Sequence, residues 1–203
     1  MKKSIGLLLL TSLVFAGLLS FTSTGYKIGD NVSDFTLKNV DGKMISLSSY
    51  KDSKGIIVIF TCNHCPYAKA YEKRILDLQK TYSSKGFPVV AINSNDAVKA
   101  PADSYDKMVS YSKEKGFTFP YLHDADQSVA KAFGAMRTPH VFLLKRNDKS
   151  FEVAYIGAID DNTEDAGAVT KKYVEDALMA IAKGEKPAIT ETKAIGCTIK
   201  WKS

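Results

Sequence analysis

The chain has 203 residues, 45% of them hydrophobic and 25% charged, and 28 Lys+Arg against 22 Asp+Glu give a formal charge of +6. These are ordinary values for a folded domain and exclude disordered, collagen-like and multi-span membrane classes. Three cysteines are too few for a disulfide-stapled scaffold, and an odd number cannot all pair within the chain.

Lys2 and Lys3 precede an uncharged, mostly apolar run from Ile5 to Phe21, and the next charge is Lys27. A basic start followed by an apolar stretch is the pattern of a secretory signal. The run is near the lower length limit for spanning, so an uncleaved membrane anchor is the competing reading. No cysteine precedes Cys62, which excludes a lipid-modified N-terminal cysteine. The expected organisation is a signal or anchor over 1–24, one domain over 25–184, and a tail over 185–203. Removing 1–24 takes two lysines and no acid, leaving +4 spread along the chain with no dense Lys/Arg block. Nucleic acid is therefore not an expected partner.

Asp34-Phe35-Thr36-Leu37 and Met44-Ile45-Ser46-Leu47 flank Asn39-Val40-Asp41-Gly42, an Asp-Gly hairpin signal. Ile56 to Phe60 is a continuous β-branched run suited to a strand buried on both faces. Ala68, Tyr71, Ile75, Leu78 and Tyr82 recur at steps of three and four before Gly86, which predicts a helix. Phe87 to Ile92 is the next buried strand, 102–115 reads as helix, and 127–134 as a shorter helix closed by Gly134. Leu122-His123-Asp124 reads as a turn, with Asp124 and Asp126 as caps for the helix after it. His140 to Leu144 and Phe151 to Ile156 are two more strands around Arg146-Asn147-Asp148. Val169, Tyr173, Val174, Ala177, Leu178 and Ile181 form the stripe of a last helix ending at Gly184. No periodic element follows. This order implies an α/β three-layer sandwich with a mixed central sheet and an N-terminal β-hairpin.

The chemistry lies where the central strand meets the first helix, at Thr61-Cys62-Asn63-His64-Cys65-Pro66. A C-x-x-C next to a βαβ pattern is a thiol redox signal, because two intervening residues let the sulfurs close a small ring. Proline is favoured at the first helical position, which puts Cys65 at the N-cap, where the helix dipole and free N–H groups favour a thiolate. A protonated His64 pushes the same way. The bland alternative is a pair of buried small hydrophobes. A metal-binding module using Cys62, Cys65 and His64 or His140, taking copper or zinc, is a further one. Neither a metal nor another cofactor is expected.

On these residues the chain resembles the thioredoxin superfamily, in its redoxin branch of peroxiredoxin-like and exported thioredoxin-like proteins. The resemblance covers about residues 26–183 and rests on Gly29-Asp30, Asp34-Phe35-Thr36-Leu37, Asp41-Gly42-Lys43, Cys62-Asn63-His64-Cys65 and Ala135-Met136-Arg137-Thr138-Pro139. It implies that Pro139 is cis and faces the cysteine pair, and that the Thr138 backbone pairs with an extended substrate chain. The chain departs from the family in having Thr61 where Trp is usual. Two registers are open. In one, Cys62 is the first cysteine of the motif and Cys65 its partner; in the other, anchored on Phe60, Cys65 takes the nucleophile position.

The expected function is an exported, periplasmic or otherwise extracytoplasmic thiol–disulfide oxidoreductase working through a mixed disulfide. Its expected partners are protein disulfides or dithiols and a thiol electron donor or acceptor. Cys197 is a possible third redox cysteine carried by the tail. The alternative is a peroxiredoxin-like thiol peroxidase. Against it, the family pattern P-x-x-x-T-x-x-C ending on Cys65 wants proline at Val58 and threonine at Cys62.

Overall fold

The central strand of the computed structural model, β3 (Gly55–Phe60), is buried at every position, as its unbroken apolar run requires. The structure describes residues 25–148 and 150–203; the expected export segment over 1–24 lies outside them. Around β3 the described residues form a mixed seven-stranded sheet, ordered β2-β1-β5-β4-β3-β7-β8. Its members are β1 (Thr36–Asn39), β2 (Met44–Ser46), β4 (Val89–Asn93), β5 (Tyr121–His123), β7 (His140–Arg146) and β8 (Phe151–Gly157).

Strands β3, β4 and β5 are parallel, while β7 runs antiparallel to β3 and β8 to β7. The Asp-Gly turn joins β1 to β2 with Leu37 opposite Ile45. The helices are α1 (Pro66–Tyr82), α2 (Tyr105–Glu114), α3 (Ser128–Phe133) and α4 (Tyr173–Ala182).

The side-chain period of a strand divides this sheet between two cores. Ile57 and Ile59 point to one face, with Tyr71, Ile75 and Leu78 of α1 and Val174, Ala177 and Leu178 of α4. Ile56, Val58 and Phe60 point to the other, with Val129, Ala130 and Phe133 of α3 and with Ile199 of the tail. Each large apolar side chain buried this way contributes about 1.5–3 kcal/mol. Cooperation between these two layers fixes where β3 ends, and so where the cysteines begin.

Three expectations are corrected. Residues 121–123 form strand β5 rather than a turn: Tyr121 donates its N–H to Asn39 Oδ1 and Leu122 pairs with Asn39. Three residues between Pro120 and Asp124 are too few to show a period. The last helix begins at Tyr173, not Val169, because Asp165 accepts the Gly167 N–H and winds 166–168 into a separate turn. The segment 185–203 contains a strand, β9 (Cys197–Thr198), which pairs with β6 (Arg137–Thr138). Asp124 and Asp126 do cap α3, accepting N–H groups of Val129, Ala130 and Ser128. Among the described residues no helix is long and apolar enough to cross a membrane.

Candidate active site

Chain leaving β3 turns through 61–65 and enters α1 with Cys65 as N-cap and Pro66 in the first helical turn. Proline costs nothing there, since its missing N–H would have lacked a helical partner anyway. Both sulfurs are covered: Cys62 is 3% exposed and Cys65 0%. Cys62 Sγ lies 3.3 Å from Thr138 Oγ1. As a thiol, Cys65 Sγ donates to the Thr138 carbonyl at 3.2 Å. The Cys62 thiol shares its buried cluster and Cys197 packs against it, and these neighbours with the Ala68 N–H favour the Cys65 thiolate.

The pair therefore shares its protons unequally. The hydrogen bond from Cys62, then those from Cys197 and Ala68, hold Cys65 down at about 4 against the opposing effect of burial. Cys62 is pushed far up, first by that same bond, then by burial and by the Asp103 carboxylate. Burial, followed by the neighbouring Cys65, raises Cys197 to about 11. A thiolate at a helix N-terminus has the dipole behind it as well.

Polar groups hold the loop from the other side. Asp103, fully buried just before α2, accepts the Asn63 N–H at 2.7 Å and the Asn95 amide at 2.7 Å. Its Oδ2 also lies 2.5 Å from His64 Nδ1. Tyr121 donates to Asn63 Oδ1 at 2.8 Å and receives the Asn93 amide at 3.1 Å. Burial raises the Tyr121 phenol well above its ordinary value, so it stays a donor. Among the described residues no fully buried side-chain polar atom lacks a partner, as a rigid polar network needs.

His64, expected to tune Cys65, holds its Nδ1 against Asp103 Oδ2 with Cys62 Sγ nearby. One ligand atom each from Cys62, His64 and Asp103 lies within 4.8 Å of the others, a sulfur–nitrogen–oxygen set that a borderline cation could take. His140 opens β7, buried at 7% exposure, and accepts the Met136 N–H at 3.4 Å. Burial, and then Arg137, holds its imidazole down at about 4, so it stands neutral.

The Thr138–Pro139 peptide is cis. The edge at Thr138, expected to receive a substrate strand, is filled by the chain itself, with Cys197 opposite Thr138 and Thr198 opposite Arg137. A Cβ on Gly196 would lie 2.1 Å from the Thr138 carbonyl oxygen, so only glycine admits this approach. Arg137 Nη1 donates to Gly196 O at 2.9 Å, and Ile199 N to Met136 O at 3.0 Å. Further along, Lys200 N donates to Asn95 Oδ1 and Lys202 N to Gln127 Oε1, both at 2.8 Å. The tail thereby sets Cys197 against Cys62 and Cys65. Sequence reasoning missed Asp103, Asn95 and this pairing. Pro101 just ahead of the helical stretch is a local N-terminus signal, but nothing local marks Asp103 as a partner of His64.

Two cysteines at the head of the first helix, set against a cis-proline loop, resemble the arrangement of thioredoxin-superfamily thiol oxidoreductases. The chain is one of them. More narrowly, it belongs to the AhpC/TSA family, whose model matches residues 28–153. The thiol-disulfide oxidoreductase ResA of Bacillus subtilis (strain 168) is 26% identical over 172 residues, 85% of this chain and 83% of that one. A crystal structure of an uncharacterized conserved protein from Geobacillus kaustophilus superposes with a TM-score of 0.81 at 37% identity, covering 87% of this chain and 93% of the other. Peroxidoxin BcpB from Mycobacterium tuberculosis shares the fold at 18% identity, with a TM-score of 0.58 over 78% of this chain and 97% of its own.

Proposed function

We propose that the chain is an exported thiol–disulfide oxidoreductase in which Cys65 is the attacking sulfur and Cys62 the resolving one. The observation that carries this is the place of Cys65 at the N-cap of α1, clustered with Cys62, where its surroundings favour the Cys65 thiolate and leave Cys62 the protonated reserve. Cys65 S⁻ attacks one sulfur of a substrate disulfide and the other leaves as thiolate. Once Cys65 sits in the mixed disulfide, the strongest cause of the raised Cys62 pKa is gone. Cys62 then gives its proton to the departing thiolate and attacks the Cys65 sulfur. One substrate sulfur leaves as thiol and the other as thiolate, and Cys62–Cys65 is oxidised. In reverse, the same steps deliver a disulfide to a dithiol partner.

A stabilised thiolate favours the reduced protein, so the expected reduction potential is more oxidising than the roughly −270 mV of thioredoxin. Export rests on Lys2, Lys3 and the apolar run behind them. On this reading 25–184 is the catalytic domain and 185–203 its tail.

The test uses oxidised glutathione in a Cys197→Ser background. That protein is expected to form Cys62–Cys65 without a lasting adduct, and adding Cys62→Ser leaves one glutathione on Cys65. Adding Cys65→Ser instead removes the low-lying thiolate and should slow the reaction, now left to Cys62, about tenfold or more. Equal rates at the two sulfurs contradict the assignment. Fast, Cys65-dependent consumption of hydrogen peroxide by the reduced protein favours a thiol peroxidase instead.

A further inference from the structure

Three sulfurs, not two, meet at the head of α1, and Cys65 stands in the middle. Cys62 lies with it in one buried cluster and Cys197 packs against that cluster, both near enough to favour its thiolate. The three differ in access: Cys65 has no exposed surface and Cys62 almost none, while Cys197 is only partly covered. Cys197 is not held there by chance. Its strand pairs with Thr138, whose carbonyl is the atom touching Cys65, and Gly196 is required for that approach. Beyond it, Ile199 is buried in the sheet's core and Lys200 is bonded on both its N–H and its carbonyl. The tail is anchored on the far side of Cys197, so this sulfur stays beside Cys65.

We propose that Cys197 is the outward sulfur of a three-cysteine relay, in which Cys65 exchanges one disulfide between Cys62 inside and Cys197 outside. The inference rests on Cys65 being the reactive sulfur of the proposed oxidoreductase. The internal step is isoelectronic. The Cys197 thiolate attacks Cys65 Sγ, the Cys62–Cys65 bond breaks as Cys65–Cys197 forms, and Cys62 leaves and takes up the proton that Cys197 gave up. No external oxidant is consumed, because the disulfide came from the substrate in the earlier exchange.

The outer disulfide suits a partner's attack. The reachable sulfur is Cys197, and the leaving group is Cys65, whose low pKa makes it the better thiolate to expel. Such a route needs no strand to leave the Thr138 edge. It also accounts for a pair that is reactive by its electrostatics yet covered by its own tail.

The experiment oxidises the reduced full chain with one equivalent of oxidised glutathione, blocks remaining thiols with N-ethylmaleimide and maps tryptic peptides by mass spectrometry. Cleavage after lysine puts Cys62 and Cys65 on the fragment 55–69 and Cys197 on 194–200. A cross-link between these fragments is expected in the unmodified protein and in Cys62→Ser, but not in Cys65→Ser. Cys197→Ser should keep Cys62–Cys65 and lose at least tenfold in its rate of re-reduction by a protein dithiol such as reduced thioredoxin.

If Cys62–Cys65 forms while Cys197 is found fully blocked, the relay is wrong and the pair survives. A cross-link that persists in Cys65→Ser, or a Cys197-linked dimer as the main product, also overturns it. If all three thiols are found blocked, the oxidoreductase assignment itself fails.

Discussion

Asp103 and Asp160 are both buried carboxylates, and the chain neutralises them differently. Asp160 has a permanent cation: Arg74 Nη1 reaches its two oxygens at 2.9 and 2.7 Å, with Tyr71 OH at 2.8 Å. The same guanidinium lies over the Tyr71 ring and donates to the carbonyls of Asn162 and Thr163. Asp103 has neutral donors from Asn63 and Asn95, and its ion-pair partner among the described residues is His64, which is charged only when protonated. Arginine keeps its charge at any working pH and histidine does not. The contrast separates a charge that fastens a loop to α1 from one that stands beside the reactive sulfurs.

The largest expected effect lies at the fixed pair. Asp160→Ala strands a mostly buried Arg74 and should cost about 3–5 kcal/mol in urea unfolding, with the exchange rate per folded molecule unchanged. A loss of exchange without a loss of stability would erase the distinction between the two acids.

The next effect lies on the site side, at His140. Burial holds its folded pKa near 4, below the ordinary value, so the neutral form is favoured in the fold. Stability is then complete above the unfolded pKa of about 6.5 and is lost as pH falls toward the folded one, by about 3 kcal/mol at pH 4. Comparing urea midpoints of the wild type and His140→Gln at pH 7 and near pH 4 checks this, since the variant should lack that part of the slope. Equal slopes in both proteins would place the acid sensitivity elsewhere.

A smaller and more pointed change is Asp103→Asn. It leaves the Asn63 N–H and the Asn95 amide with a poorer acceptor at a cost of about 1–2 kcal/mol. Its signature is different: removing the carboxylate removes one cause of the raised Cys62 pKa. Ionisation of Cys62, followed by its alkylation rate against pH, should move to lower pH. Asp160→Ala should leave that profile where it was.

How much of this was legible in the sequence depended on the reach of the signal. The β3 run, the 3.6-residue stripe of α1, Pro66 after Cys65 and the Asp-Gly turn are local patterns, and each sits in the structure where the pattern placed it. The two cysteines were legible for the same reason, as neighbours at the end of a strand. Asp103, Asn95 and the pairing of Cys197 with Thr138 were not, although Cys197 itself stood as a candidate third redox cysteine. Asp103 is 39 residues from His64 and Lys200 is 105 from Asn95, and such contacts exist only once β3, β4 and β5 lie side by side. Strands of two or three residues, such as β5 and β9, carry no period at all. His64 shows the limit most clearly, since its place in the motif marked the loop but not its Asp103 partner.

The central claim is that Cys65 carries the low-lying thiolate, and thiolate absorbance of the reduced protein followed against pH tests it most directly. The wild type should titrate with a midpoint near 4, and that step should persist in Cys62→Ser at a somewhat higher pH and vanish in Cys65→Ser. A low step that survives in Cys65→Ser and disappears in Cys62→Ser would contradict the account and give the attacking role to Cys62.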